Sequence, residues 1–118
     1  MNKELTDLRI KTSPPFCINI WIAGNIEIIK QTCRKYCMDI GLCVTITPIS
    51  YIYTGGQEEG VCIGLRNYPR FPCSEEELED KAMALTTLLL VDACQFSAML
   101  EGSTETIWIT RRKEQKTC

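Results

Sequence analysis

The stretch Phe16-Cys-Ile-Asn-Ile-Trp-Ile-Ala-Gly24 sets the architecture of this chain. Phe16, Ile18, Ile20 and Ile22 alternate with Cys17, Asn19, Trp21 and Ala23, and a period of two puts the large apolar side chains on one face of a strand. Gly24 breaks that strand. Asn25 can then cap a helix with Glu27 in its first turn, and Ile26, Ile29, Cys33, Cys37 and Ile40 recur at helical spacing until Gly41 stops it.

Outward from this unit, Leu42 to Thr47 is rich in β-branched residues and reads as a second strand. Pro48 marks an edge or a bend before Ile49 to Thr54 continues it, and Gly55-Gly56 supplies a turn. Val61, Ile63 and Leu65 alternate with Cys62, Gly64 and Arg66 in a third strand antiparallel to the second. Asn67 to Cys73 contains Pro69 and Pro72 and is an irregular crossing loop. Ser74 opens a second helix through a capping box with Glu77, and Leu78, Ala82, Leu85, Leu89, Ala93 and Phe96 form its apolar stripe. Met99 to Glu101 and Thr106 to Thr110, around Gly102-Ser103, make a final strand or a bent pair.

The order β-α-β-β-α-β predicts an α+β fold of the ferredoxin-like, split βαβ kind, with both helices on one face of a four-stranded antiparallel sheet. Residues 1–13 form an N-terminal extension, 14–111 a single domain and 112–118 a basic tail. The other sheet face carries Asn19, Trp21, Cys62, Gly64 and Trp108. Two tryptophans on an uncovered face call for a partner, so Asn19, Trp21 and Trp108 are the expected interface of a homodimer.

At 118 residues and 13.4 kDa the chain has room for one domain. No apolar run reaches the ~20 residues that cross a bilayer, and Met1 to Ser13 lacks the apolar stretch of a secretory signal, so a cytoplasmic protein is expected. Thirteen Lys and Arg against 15 Asp and Glu offer no positive field for a phosphate backbone, which argues against nucleic acid. The 8 cysteines form no C-x-x-C pair, and with no histidine the ligand spacing of a zinc site is missing; no metal and no cofactor are expected. Cys33 and Cys37 fall on the apolar helix stripe as small buried hydrophobes, and Cys118 is terminal and free to react. The missing histidine also removes every Ser-His or Cys-His nucleophilic pair, and no catalytic residue is assigned.

Two loops concentrate chemistry. In Tyr51-Ile-Tyr-Thr-Gly-Gly-Gln-Glu-Glu-Gly60, Tyr53, Gly55, Gly56 and Glu58 can meet a ligand or partner, the plain alternative being a hairpin with a solvated acidic tip. In Arg66-Asn-Tyr-Pro-Arg-Phe-Pro72, Arg66, Asn67, Tyr68 and Arg70 can grip an anion and stack on a ring, the alternative being a rigid linker. Asn19 and Trp21 beside the third strand resemble an RNA-recognition surface, but Cys62 and Gly64 stand where rings would be wanted. The acids of Ser74 to Asp80 read as a solvated helix start.

The segments Gly41-Leu-Cys-Val-Thr-Ile-Thr-Pro, Tyr53-Thr-Gly-Gly-Gln-Glu-Glu-Gly and Gly64-Leu-Arg-Asn-Tyr-Pro-Arg-Phe-Pro resemble small accessory proteins of phages and prophages. That resemblance implies a host-directed or anti-defence protein acting by binding. The resulting expectation is a non-enzymatic binding protein that holds a host protein or a small phosphate-bearing ligand through the 53–60 hairpin and the 66–72 loop. The alternatives are a small enzyme using Glu58 or Glu59 as acid/base with Arg66 or Arg70 as anion clamp, and a structural oligomer subunit.

Overall fold

A computed structural model describes residues 7–113; Cys118 and most of the basic tail lie outside them. The elements run β1 (Cys17–Ala23), α1 (Ile26–Ile40), β2 (Val44–Tyr53), β3 (Gly56–Arg66), α2 (Glu75–Asp92), β4 (Ser97–Glu101) and β5 (Thr106–Thr110). They form an α+β fold with the expected β-α-β-β-α-β order and one strand more. The sheet has five strands in the order β2-β3-β1-β4-β5, and every pairing is antiparallel. The four-stranded expectation is therefore corrected. Residues 102–105 turn the chain back sharply, so what could have been one bent strand becomes a hairpin in which Met99 faces Trp108.

The helices form where their caps dictate. Asn25 Oδ1 accepts from the Glu27 and Ile28 amides, and Gly41 ends α1 with φ +71°, a left-handed conformation open to glycine without a Cβ clash. Ser74 Oγ accepts from the Glu77 amide at the start of α2. Both helices lie over the face built by Ile18, Ile20, Ile22, Val61, Ile63, Leu65, Ala98 and Leu100, and this layer together with Ile29, Cys33, Leu78, Leu85 and Leu89 is the core. Two stripe residues depart from expectation. Ile40 stays exposed at the end of α1, and Phe96 is exposed beyond α2 with the guanidinium groups of Arg111 and Arg112 5.3 and 5.1 Å from its ring centre.

Two threonines take buried places that a hydrophobic pattern does not anticipate. Thr32 Oγ1 donates to Asp92 Oδ2 at 2.7 Å and joins the helices, while Thr86 Oγ1 donates to its own helix at Ala82 O. Pro48 is tolerated because β2 is an edge strand, where a missing N–H leaves no ladder partner unsatisfied. No described helix is long and apolar enough to cross a membrane.

Candidate functional site

With the helices on one side, the opposite sheet face is open. The register sets its occupants in rows: Thr47, Cys62, Trp21, Met99 and Trp108 across the five strands, and beside them Thr45, Gly64, Asn19, Glu101 and Thr106. Trp108 is 66% exposed and Met99 37%. The aromatic outer face expected from the β1 alternation is thus present, with Asn19, Trp21 and Trp108 on it.

Glu101 is the organised charge of this face. Its Oε1 accepts from Trp21 Nε1 at 3.2 Å and from Asn19 Nδ2 at 3.4 Å. Both donors come from β1, so the exposed carboxylate is tied across the strand boundary. Next to it, burial first and the Glu101 charge second push the Cys62 thiol up, which keeps it protonated at neutral pH and unsuited as a nucleophile. Tyr51 lies two rows away. Burial, then Cys62 and Glu58, push its hydroxyl up as well, so it remains a neutral phenol with both donor and acceptor capacity.

Two β3 positions of this face, Gly60 and Gly64, carry no side chain, and their neighbours occupy the space. A Cβ on Gly60 would fall 2.5 Å from Ile22 O and 2.8 Å from the Tyr51 ring, and one on Gly64 would fall 2.6 Å from Thr45 Oγ1. Glycine at these two places lets the Tyr51 ring and Thr45 close over β3. The result is a shallow trough centred on Cys62, with Tyr51 and Thr45 lying over Gly60 and Gly64 on its β2 side, Asn19 and Trp21 on its β1 side, and the Glu101 carboxylate beyond them. Such a surface suits a planar ring joined to a cationic group, since aromatic faces and a fixed carboxylate both attract positive charge. Glu101 escapes a motif-based reading, because no sequence motif contains it. The strand alternation Met99-Leu100-Glu101 is the signal that puts it on the Trp21 side.

The two loops singled out in the sequence do not form one site. The hairpin tip lies at one end of β3 and the 66–72 loop at the other, and Glu58 and Arg66 are separated by eight positions of continuous strand, roughly 27 Å. Within one chain, a carboxylate base at Glu58 or Glu59 working with an arginine clamp at Arg66 or Arg70 on one small substrate is thereby ruled out by reach. At the tip, Tyr53 donates to Glu58 Oε1 at 3.0 Å, and the turn falls on Thr54 and Gly55, one residue earlier than expected, because Gly56 already pairs with Tyr53 as the first residue of β3. Ser50 hydrogen-bonds both oxygens of Glu59.

Asn67 has an internal duty. It is buried, its Oδ1 accepts from the Cys73 amide, its Nδ2 donates to Pro14 O, and its own carbonyl accepts from Ser13 Oγ. These bonds fasten both ends of the proline loop and the segment leading into β1. Arg66, Tyr68 and Arg70, by contrast, line a groove of 740 Å³ together with Phe71, Glu77 and Lys81. Phe71 N–H donates to Tyr68 O, a tight turn that points Arg70 over the Phe71 ring at 5.2 Å. Among the described residues no cluster of three or more Cys, Asp or Glu is arranged to hold a metal ion.

These features define an α+β protein whose open sheet face carries a preformed aromatic and acidic trough. Comparison with solved structures narrows the class. The chain is similar to a phage SAM lyase in its apo state, at TM-score 0.73 and 20% identity over 92% of this chain and 100% of that one. It is also similar to a phage SAM lyase in complex with S-methyl-5'-thioadenosine, at TM-score 0.66 and 18% identity over 92% of this chain and 98% of that one. No protein-family model and no curated protein matches the sequence. Both structures are of a phage enzyme with the same fold over nearly its whole length, and this overturns the expectation of a non-enzymatic binding protein. That expectation rested on the missing histidine and catalytic pair.

Proposed function

We propose that this chain is a phage enzyme that cleaves S-adenosylmethionine and releases S-methyl-5'-thioadenosine, and that the trough beside Glu101 is where it does so. The observation that carries this reading is the carboxylate held by Trp21 and Asn19 in an otherwise neutral row of the open face, beside the row that carries both tryptophans, within a fold shared end to end with a SAM lyase.

The products fix the bond. S-methyl-5'-thioadenosine keeps the methyl and adenosyl groups on sulfur, so the bond that breaks joins sulfur to Cγ of the aminobutyrate chain. A lyase adds no water, and the substrate's own carboxylate is a nucleophile within reach of Cγ. One carboxylate oxygen forms the new C–O bond at Cγ, the C–S electron pair leaves to sulfur, and the sulfonium becomes a neutral thioether while the other fragment closes to a five-membered lactone. No proton, oxidant or co-reactant is needed.

Charge is cancelled along this path: a sulfonium and a carboxylate go to two uncharged centres. Such a step is accelerated where water is excluded, because water stabilises the separated charges of the ground state more than the transition state. Trp21 and Tyr51 supply the apolar walls, and Glu101 orients the substrate through its α-ammonium. Its Oε1 already accepts two N–H groups, which fixes its direction and suits it to holding a cation. The open face is only half enclosed in one chain. A second copy docked over Trp108 and Met99 completes the exclusion of water, which gives the expected homo-oligomer a catalytic reason. Removal of the methyl donor of the host accords with an anti-defence role.

Incubating the purified protein with S-adenosylmethionine and resolving products by chromatography is the test. S-methyl-5'-thioadenosine should accumulate at the rate substrate disappears, and unchanged substrate after prolonged incubation would sink the reading.

A further inference from the structure

We propose that Arg66 anchors the α-carboxylate of the substrate and so decides that an amino-acid-bearing sulfonium is accepted; this rests on the reading of the trough given above. Three outward-facing strand residues of the open face are charged: Glu58, Glu101 and Arg66. Glu58 sits on the hairpin beyond β1, bound by Tyr53. Glu101 and Arg66 remain to bracket the trough. Arg66 is paired with Cys17 and Glu101 with Asn19, two residues further along β1 and on the opposite side of it. Two strand spacings across and two residues along put their Cα atoms about 12 Å apart.

That separation suits the chemistry. The carboxylate must attack Cγ from the side opposite the departing sulfur, so the aminobutyrate chain has to be folded back on itself and its Cα, which bears both the carboxylate and the ammonium, held in one orientation. Carboxylate and ammonium lie only about 3 Å apart on one carbon, and an arginine reaching roughly 6 Å and a glutamate roughly 4 Å from their Cα atoms, each with a hydrogen bond of about 3 Å, can meet them across that separation. A guanidinium at Arg66 can grip the oxygen that does not attack while Glu101 holds the ammonium. The surroundings favour an anion there: the groove that Arg66 borders also contains Arg70 and Lys81 against a single carboxylate, Glu77. Arg66 is the one outward-facing β3 residue that lines this groove, which makes it the junction of trough and cationic rim.

Two non-reacting ligands separate this idea from the one beneath it. S-adenosylhomocysteine carries the amino-acid end and S-methyl-5'-thioadenosine lacks it. Titration calorimetry of the intact protein should show that Arg66→Gln weakens S-adenosylhomocysteine 10- to 100-fold and leaves S-methyl-5'-thioadenosine unchanged. Arg66→Lys should recover part of the loss, and Lys81→Gln should not alter the ratio. An unaltered ratio in Arg66→Gln with retained thioadenosine binding would overturn the Arg66 assignment alone. Failure of the unmodified protein to bind either ligand would overturn the S-adenosylmethionine reading and this assignment with it.

Discussion

The indole N–H of Trp21 donates to Glu101 Oε1 at 3.2 Å, joining two side chains 80 positions apart in sequence. The bond runs from the central strand to its neighbour and fixes a carboxylate whose direction would otherwise be set by solvent. A fixed carboxylate is preorganised: no reorientation is needed when a cation arrives.

Replacing Glu101 with Gln should therefore lower cleavage of S-adenosylmethionine by about 10²- to 10³-fold while leaving the circular dichroism spectrum unchanged. Trp21→Phe, which keeps the ring and removes the N–H donor, should have a smaller effect. A Glu101→Gln protein turning over at the unmodified rate would move the site elsewhere.

Trp108 stands 66% exposed on the outermost strand of the same face. Introducing a charge with Trp108→Glu should shift the sedimentation profile toward the single chain and reduce activity in parallel. An oligomer that persists unaltered would show that another surface makes the contact.

Asn67 ties the proline loop to residues 13 and 14 through two bonds and to its own far end at Cys73 through a third. Asn67→Ala strands the half-buried Cys73 amide, and urea denaturation should report a loss of about 1 kcal/mol. The thioadenosine affinity of the folded fraction should not change, because the side chain faces inward.

Burial, reinforced by the nearby Cys37, pushes the Cys33 thiol up to about 12 from its ordinary 9.0. In the unfolded chain the same thiol loses its proton near 9, so between these two values the unfolded state binds fewer protons and stability falls as pH rises. The contribution is complete below 9 and is lost progressively toward 12. Thermal unfolding followed across this range should be less steeply pH-dependent in Cys33→Ala. Alkylation at neutral pH should reach the exposed Cys43 and Cys94 well before Cys33.

Most of the layer architecture was legible because it depends on short-range periodicity. The alternation around Ile18, Ile20 and Ile22 names the core face directly, and Asn25, Gly41 and Ser74 mark helix ends by their own hydrogen-bonding and conformational properties. The fifth strand was half visible: Met99 to Glu101 and Thr106 to Thr110 both read as strand, but whether Gly102-Ser103 bends one strand or reverses it depends on whether β4 leaves an open edge. Thr86 and Thr32 were missed because each buries a hydroxyl that finds an acceptor only in the folded chain. The site was less legible still. Glycines and arginines drew attention to two loops at opposite ends of β3, whereas the trough depends on strand order, which brings Glu101 beside Asn19 and Trp21. The proline loop's Asn67 had the composition of a ligand contact and the geometry of an internal brace.

The strand order has a further effect on how the protein comes into being. β1 pairs with β3 and β4, and β4 is separated from it by more than seventy residues. During synthesis the middle of the sheet is therefore laid down early and left with a bare edge until residues 97–101 emerge from the ribosome. A nascent chain stalled before that point presents Ile18, Ile20 and Ile22 beside unpaired main-chain groups, the combination that recruits foreign strands. Delivery of the last hairpin is what converts a sticky translation intermediate into a closed product.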